Sequence, residues 1–251
     1  MRGTLLGTFH NDDGQDHWIR RNNGDGETWI TSGDNPCVAA CGASTHSYAV
    51  QALGSCFRQR KVVVQVDIRP PNQWIWGVAR AAQILVGGDN FLNGNRGEKA
   101  DGGFTKHYYG QFGFGNNAGL SDGYYKGTKL RALDGDLNGG GTVKYSAADV
   151  DASHWYRFKT TFDLEACTYD VEVFDQGADH PASASTPNGA AYAAWKGLKF
   201  RRPAGDEGVT SICVNTYGNA PVLPGNPEDE GLALYDNILV KCPGGTLIVV
   251  R

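Results

Sequence analysis

Leu232-Ala-Leu-Tyr-Asp-Asn-Ile-Leu-Val240 has the alternation of a β-strand, with one residue out of place. Successive strand side chains point to opposite faces, so Asp236 shares its parity with Leu234, Ile238 and Val240. That parity directs a carboxylate toward the core. Burying it unpaired would cost on the order of several kcal/mol. The sequence therefore predicts a neutralising partner: a cation, an arginine, or backbone N–H groups at the end of a sheet.

The same period of two recurs along the chain. In Lys61-Val-Val-Val-Gln-Val-Asp-Ile-Arg-Pro70, Val62, Val64, Val66 and Ile68 share one face and Gln65, Asp67 and Arg69 the other. Strands are also predicted over Trp74–Ala79, His107–Phe114, Trp155–Phe162, Thr168–Phe174 and Val209–Tyr217. Asp163-Leu-Glu-Ala-Cys167 between two of them has the length of a hairpin connection. Gly, Asn, Asp and Pro punctuate the segments, and no long helical pattern occurs. One helical turn is expected at Ala190–Trp195, and two long irregular loops at 87–105 and 176–188. So many alternating segments predict an all-β fold, two antiparallel sheets packed face to face as a sandwich or jelly roll. A length of 251 residues suits one such domain, 1–251.

The net charge of −4 and the lack of any Lys/Arg block argue against nucleic acid as a partner. No apolar run approaches the ~18 residues of a membrane helix. Met1-Arg-Gly-Thr-Leu-Leu-Gly7 is too short an apolar stretch for a signal peptide. The six cysteines, at 37, 41, 56, 167, 213 and 242, have no zinc-site spacing. Their even number fits disulfides in an oxidising compartment, with buried thiols as the alternative.

The run from Trp155 to Asp175 resembles the central hairpin of concanavalin-A-like lectin/glucanase domains, in particular laminin-G-like bacterial ones. A Trp opens a strand, a short turn follows and a Tyr/Val strand returns. Leu198-Lys-Phe-Arg201, Val209–Tyr217 and Tyr235–Val240 continue in the same order. The resemblance implies a concanavalin-A-like jelly roll. It also implies a structural calcium near the chain termini, held partly by an Asp of the closing strand. Asp236 matches that position, and Asp12, Asp13 and Asp16, with Asn11 beside them, are the co-ligands it suggests. Oxygen donors of this kind suit calcium. The superfamily holds carbohydrate-binding modules, lectins, hydrolases and lyases, so the resemblance implies a fold and leaves the reaction open.

A glycosidase of this fold is expected to carry Glu-x-Asp-x-x-Glu on a strand, and the chain has no such motif. A polysaccharide lyase needs a Tyr or His base and an Arg or amide to stabilise the enolate. His107, Tyr109 and Arg80 are the candidates, His107 and Tyr109 sharing strand parity with Gln111. Asp134-Gly-Asp-Leu-Asn-Gly-Gly-Gly-Thr-Val143 resembles a calcium loop, but no helix pattern flanks it and a Gly/Asp turn is the simpler reading. Sugar C–H faces stack on exposed rings while amides bond the hydroxyls. Trp74 and Trp76, which follow a Pro-Pro-Asn-Gln turn, are candidates for that role, as are Gln83, Gln111, Tyr124, Tyr125, Lys126, Asn215 and Tyr217. The expectation is a secreted or extracellular domain that recognises a polysaccharide or glycan, with calcium serving structure. A polysaccharide-cleaving enzyme, lyase before hydrolase, and an extracellular self-assembling protein are the alternatives. Oligomeric state is left open.

Overall fold

The computed structural model describes residues 18–22, 27–30, 38–41, 46–57, 60–71, 82–88, 108–115, 128–179, 181, 189–206, 208–217, 233–242 and 247–250, with backbone alone before residue 60, at 216–217 and over 247–250. These residues form two antiparallel sheets, whose strands are numbered here in chain order. One is seven-stranded, in the order β1 (Trp18–Asn22), β4 (His46–Phe57), β13 (Val209–Tyr217), β6 (Ala82–Gly87), β7 (Tyr108–Gly115), β8 (Lys129–Gly135), β9 (Gly141–Tyr145). The other is eight-stranded. It runs β12 (Ala193–Lys199), β11 (Thr168–Gly177), β10 (Trp155–Asp163), β5 (Lys61–Arg69), β14 (Ala233–Lys241), β3 (Val38–Cys41), β2 (Glu27–Ile30), with β15 (Leu247–Val250) also on β14. Among the described residues no helix is long and apolar enough to cross a membrane.

The alternating apolar positions make the core. Val62, Val64, Val66 and Ile68 of β5 are fully buried, as are Phe158 and Phe162 of β10 and Val171 and Val173 of β11. They face Ile84, Val86, Phe112, Phe114, Leu130, Ala132, Ile212 and Val214 of the other sheet. Each such side chain contributes about 1.5–3 kcal/mol by leaving water. Rings interlock across the layers: Phe114 meets Phe158 edge-on at 5.3 Å.

Three expectations are corrected. The run at Ala190–Trp195 is not a helical turn. β12 begins at Ala193 and pairs with β11, Val173 opposite Ala193 and Val171 opposite Trp195. The unpaired edge of a long strand outweighs the helix propensity of a short alanine run. Next, Cys167, Cys213 and Cys242 are thiols, not halves of disulfides. Burial pushes the Cys213 thiol well above its ordinary range, which leaves it unreactive.

The third correction concerns Asp236. Asn237 adopts a left-handed conformation, φ 50°, and the register of β14 against β5 shifts between Asp236 and Leu239. Asn tolerates that region of backbone space. The bulge changes the parity. Ala233 and Tyr235 face the core before it, Ile238 and Val240 after it. Asp236 is buried, but on the outward face, paired in register with Asp67. A guanidinium supplies the positive charge there. Arg157 Nε and Nη2 donate to Asp67 Oδ1 and Oδ2, each at 2.6 Å. Asn237 Nδ2 donates to Asp67 Oδ2 at 2.8 Å and to the Pro181 carbonyl at 2.9 Å. Burial pushes the Asp67 carboxyl up, against the pull of Arg157.

Candidate functional site

The outward face of β13, β6, β7 and the adjoining part of β8 is largely buried and carries a row of polar side chains. Ile212, Val214, Ile84, Phe112 and Leu130 point inward, so the residues between them point out. Register then draws one line across four strands: Asn215 of β13 opposite Gln83 of β6, Gln83 opposite Gly113 of β7, Gly113 opposite Arg131 of β8. Asn215, Gln83 and Arg131 are no more than 2% exposed. Gly113 is required in this line. Its φ is +140°, and a Cβ would lie 2.1 Å from the Ala82 carbonyl oxygen. Beside the line, Leu85, Tyr108, Leu133 and Cys213 form a small apolar cluster.

A directional hydrogen-bond chain runs over this face. Arg201 Nη1 donates to the Tyr108 hydroxyl at 2.7 Å, with the guanidinium 4.9 Å from the ring centroid. The Tyr108 hydroxyl donates to Gln111 Oε1 at 3.0 Å, and Gln111 Nε2 donates to Gln83 Oε1. Each donor in such a series polarises the next. Arg201 is itself held by Nε donation to the Gly139 carbonyl at 2.5 Å.

Two tyrosines of the eight-stranded sheet support the chain from within the core. The Tyr235 hydroxyl donates to the Asn215 carbonyl at 2.8 Å and accepts from the Gln83 backbone N–H at 3.1 Å. The Tyr169 hydroxyl lies between the carbonyls of Gln111, at 3.2 Å, and Leu133. Burial pushes both phenols well above their ordinary range, so both remain neutral donors. The backbone beneath each amide of the face is thus fixed by the opposite layer.

Of the residues singled out in sequence, Gln83, Gln111 and Asn215 come together here. Tyr109 does not join them. Gly110 pairs with Val86 but Tyr108 with Gly87, so Tyr109 is the extra residue of a bulge. Its ring turns into the core, stacked on Phe200 at 5.4 Å, and its hydroxyl donates to the Gly208 carbonyl at 3.1 Å. The expected parity of Tyr109 with Gln111 is therefore corrected: the bulge places the two side chains on opposite faces. Gly110 allows the bulge, because a Cβ there would meet the Phe162 ring at 2.7 Å. Tyr217 ends β13 opposite His46. Asp12, Asp13, Asp16, Trp74, Trp76, Arg80, His107, Tyr124, Tyr125 and Lys126 lie outside the described residues. Arg131 follows the alternation of Lys129–Leu133, a signal by which sequence alone could have found it. Arg201, in the turn after β12, had no sequence signal.

Among the described residues, the outward positions of β13, β6, β7 and β8 from Ser211 to Leu133 hold amides, Tyr108, Cys213, Lys129 and Arg131, and no carboxylate. They offer donors and acceptors for a polar ligand but not the paired carboxylates of glycoside hydrolysis. No group of three metal-ligating side chains occurs among the described residues. Asp236, beside the Asp67–Arg157 pair, does not form a calcium site with its described neighbours.

No protein-family model and no curated protein matches the chain. Solved structures do. Lectin II from Ulex europaeus is 12% identical with a TM-score of 0.50, covering 91% of this chain and 94% of its own. Peanut lectin with a 9mer peptide is 9% identical, TM-score 0.47, covering 94% of each chain. An endo-1,3-beta-glucanase from Streptomyces sioyaensis is 12% identical, TM-score 0.43, covering 84% of this chain and 77% of its own. The sheets, their antiparallel pairing and this match give the chain the concanavalin-A-like jelly-roll fold.

Proposed function

We propose that the chain recognises carbohydrate through the outward face of the seven-stranded sheet. One observation carries the reading: four adjacent strands bring Asn215, Gln83, Gln111 and Arg131 to one face, aligned by the chain from Arg201 through Tyr108. Amides and a guanidinium suit an array of sugar hydroxyls, since each side chain supplies directional bonds without requiring a fixed charge in the ligand. A lectin shares the fold, which supports the reading without carrying it. The row is buried, so it serves as the floor of the site. Trp74, Trp76, Tyr124, Tyr125 and Lys126, which lie outside the described residues, remain the proposed stacking and contact residues.

A glycan array tests this. The wild-type chain is expected to bind at least one glycan class, and Gln111→Leu, which cuts the chain between Tyr108 and Gln83, to lose most of that signal at a temperature where it is still folded, its melting temperature falling because two buried partners lose their bonds. A blank array ends the reading. A blank array together with unsaturated product from a uronic-acid polymer replaces it with the lyase.

A structural calcium and an extracellular location are separable parts of the proposal. Calcium would draw on Asp236 with Asp12, Asp13 and Asp16, and chelation should then lower the melting temperature. An unmoved transition discards it. Location is proposed on the carbohydrate reading, since Cys167, Cys213 and Cys242 are thiols and lend it no disulfide.

A further inference from the structure

Tyr192 is the exposed large hydrophobic side chain among the described residues, 47% exposed. It sits just ahead of β12 and is not loosely attached. Its backbone N–H donates to the Val173 carbonyl at 2.7 Å, and its ring packs edge-on against the buried Tyr156 at 5.9 Å. Tyr156 is locked in turn. Its hydroxyl donates to the Asp151 carbonyl at 3.1 Å and accepts from the Asp151 N–H at 3.0 Å. A fixed aromatic ring left in water forgoes the gain of burial, which a ligand face would restore.

The polar groups around the Tyr156 ring complete a site. His154 lies on it, ring centroids 6.4 Å apart. His154 Nδ1 is 3.0 and 3.1 Å from the two oxygens of Asp175. That contact fixes the orientation of the imidazole ring. Nε2 faces Asp151 Oδ2 at 3.6 Å, beyond hydrogen-bond length. Asp151 Oδ1 is already engaged by the Ser153 N–H and hydroxyl, at 2.9 and 2.6 Å, and Asp175 Oδ1 by the Gly177 N–H at 2.8 Å. Asp151 Oδ2 is thus an acceptor held close to a fixed exposed ring.

We propose that Tyr192, His154, Asp151 and Asp175 form a second carbohydrate contact, at the β10–β11 end of the eight-stranded sheet. The ligand is a hydroxyl-rich neutral sugar. One C–H face stacks on Tyr192, and a hydroxyl donates to Asp151 Oδ2. The chemistry complements that of the seven-stranded face: carboxylate acceptors here, amide and guanidinium donors there. The inference rests on the carbohydrate reading and adds a second place of contact.

Affinity electrophoresis separates the two. Wild-type chain, Tyr192→Ala, Tyr192→Phe and Asp151→Asn are run through gels containing laminarin, dextran or galactomannan. In a gel that retards the wild type, Tyr192→Ala should weaken the apparent affinity about fivefold, the scale of one lost stacking ring. Tyr192→Phe should behave as wild type, because the ring and not the hydroxyl makes the contact. Asp151→Asn should weaken retention less. Melting temperatures of Tyr192→Ala and wild type should agree closely, since the side chain is half in water. Retention of Tyr192→Ala equal to wild type overturns this site and leaves the carbohydrate reading standing. A wild type that no gel retards overturns both.

Discussion

The two outward faces of the sandwich handle buried polarity in opposite ways. On the eight-stranded sheet, charge is cancelled pairwise: Arg157 clasps Asp67 with both partners at most 1% exposed, and Lys159 meets Glu172 at 3.4 Å nearer the solvent. On the seven-stranded sheet, no described outward position between Ser211 and Leu133 is a carboxylate, and dipoles are lined up in series from Arg201 to Gln83. A cancelled pair has little left to offer a ligand. A directed series of amides keeps donors and acceptors that a ligand can use. The difference sets a self-cancelled charge pair on one face against the polar row on which the proposed carbohydrate reading rests on the other.

Removing one half of the cancelled pair should produce the largest effect. Arg157→Leu strands the Asp67 carboxylate without its bidentate partner, and the expected loss is about 3–5 kcal/mol in denaturant unfolding. The double variant Arg157→Leu/Asp67→Leu should recover part of that, because the Asp67 carboxylate is no longer stranded, while the buried Asp236 beside it still loses the guanidinium. If the double variant is no better than the single one, the pair is not an isolated cancellation and the contrast between the faces weakens. Neither variant touches the Tyr108–Gln111–Gln83 chain.

The other face is sharpened from beneath. Tyr235→Phe and Tyr169→Phe keep the rings and delete hydroxyls that bind backbone groups of the opposite sheet. Each should cost about 1–3 kcal/mol, the penalty of leaving buried backbone groups without partners. The local readout is specific. The Gln83 amide donates to the Tyr235 hydroxyl, so hydrogen exchange at Gln83 should accelerate in Tyr235→Phe more than in Tyr169→Phe. Equal exchange in both would mean that the tyrosines act on global stability and do not position the face.

How much of this was legible follows from which rule each residue obeys. Period-two alternation over Val62–Ile68, Trp155–Phe162 and Thr168–Phe174 was enough for the sandwich, because those strands keep regular parity. Parity failed at the two bulges. Asn237 reversed the face of Asp236, and the extra residue at Tyr109 sent its ring into the core. A bulge depends on one backbone angle and on the partner strand's register, and neither is encoded in hydrophobic spacing. Gln83, Gln111 and Asn215 were readable because each alternates with core residues. Their alignment was not, because register between strands distant in sequence is a tertiary fact. Arg201 reaches Tyr108 across 93 positions of chain, and no local pattern announces such a contact.

The smallest expected effect concerns the rims. Asp136, Asp151 and Asp163 lie in turns at the strand ends, and all three carboxyls are held below the usual range. N–H donors of Asn138 and Gly140 act on Asp136, the Ser153 hydroxyl and N–H on Asp151, and the Ala166 N–H followed by Arg60 on Asp163. A carboxyl with a depressed folded value binds its proton less readily when folded than when unfolded. Its stabilisation is complete above the unfolded value of about 3.9 and disappears as pH falls through the folded value. Melting temperature should therefore drop as pH is lowered below ~4. The triple variant Asp136→Asn/Asp151→Asn/Asp163→Asn should show a shallower drop, because an amide oxygen still accepts the same N–H bonds but carries no titrating charge. An acid limb of unchanged slope would remove the rims as its source, and the buried Asp67 could not replace them, because a carboxyl that burial pushes up takes its proton more readily in the folded chain and acts with the opposite sign.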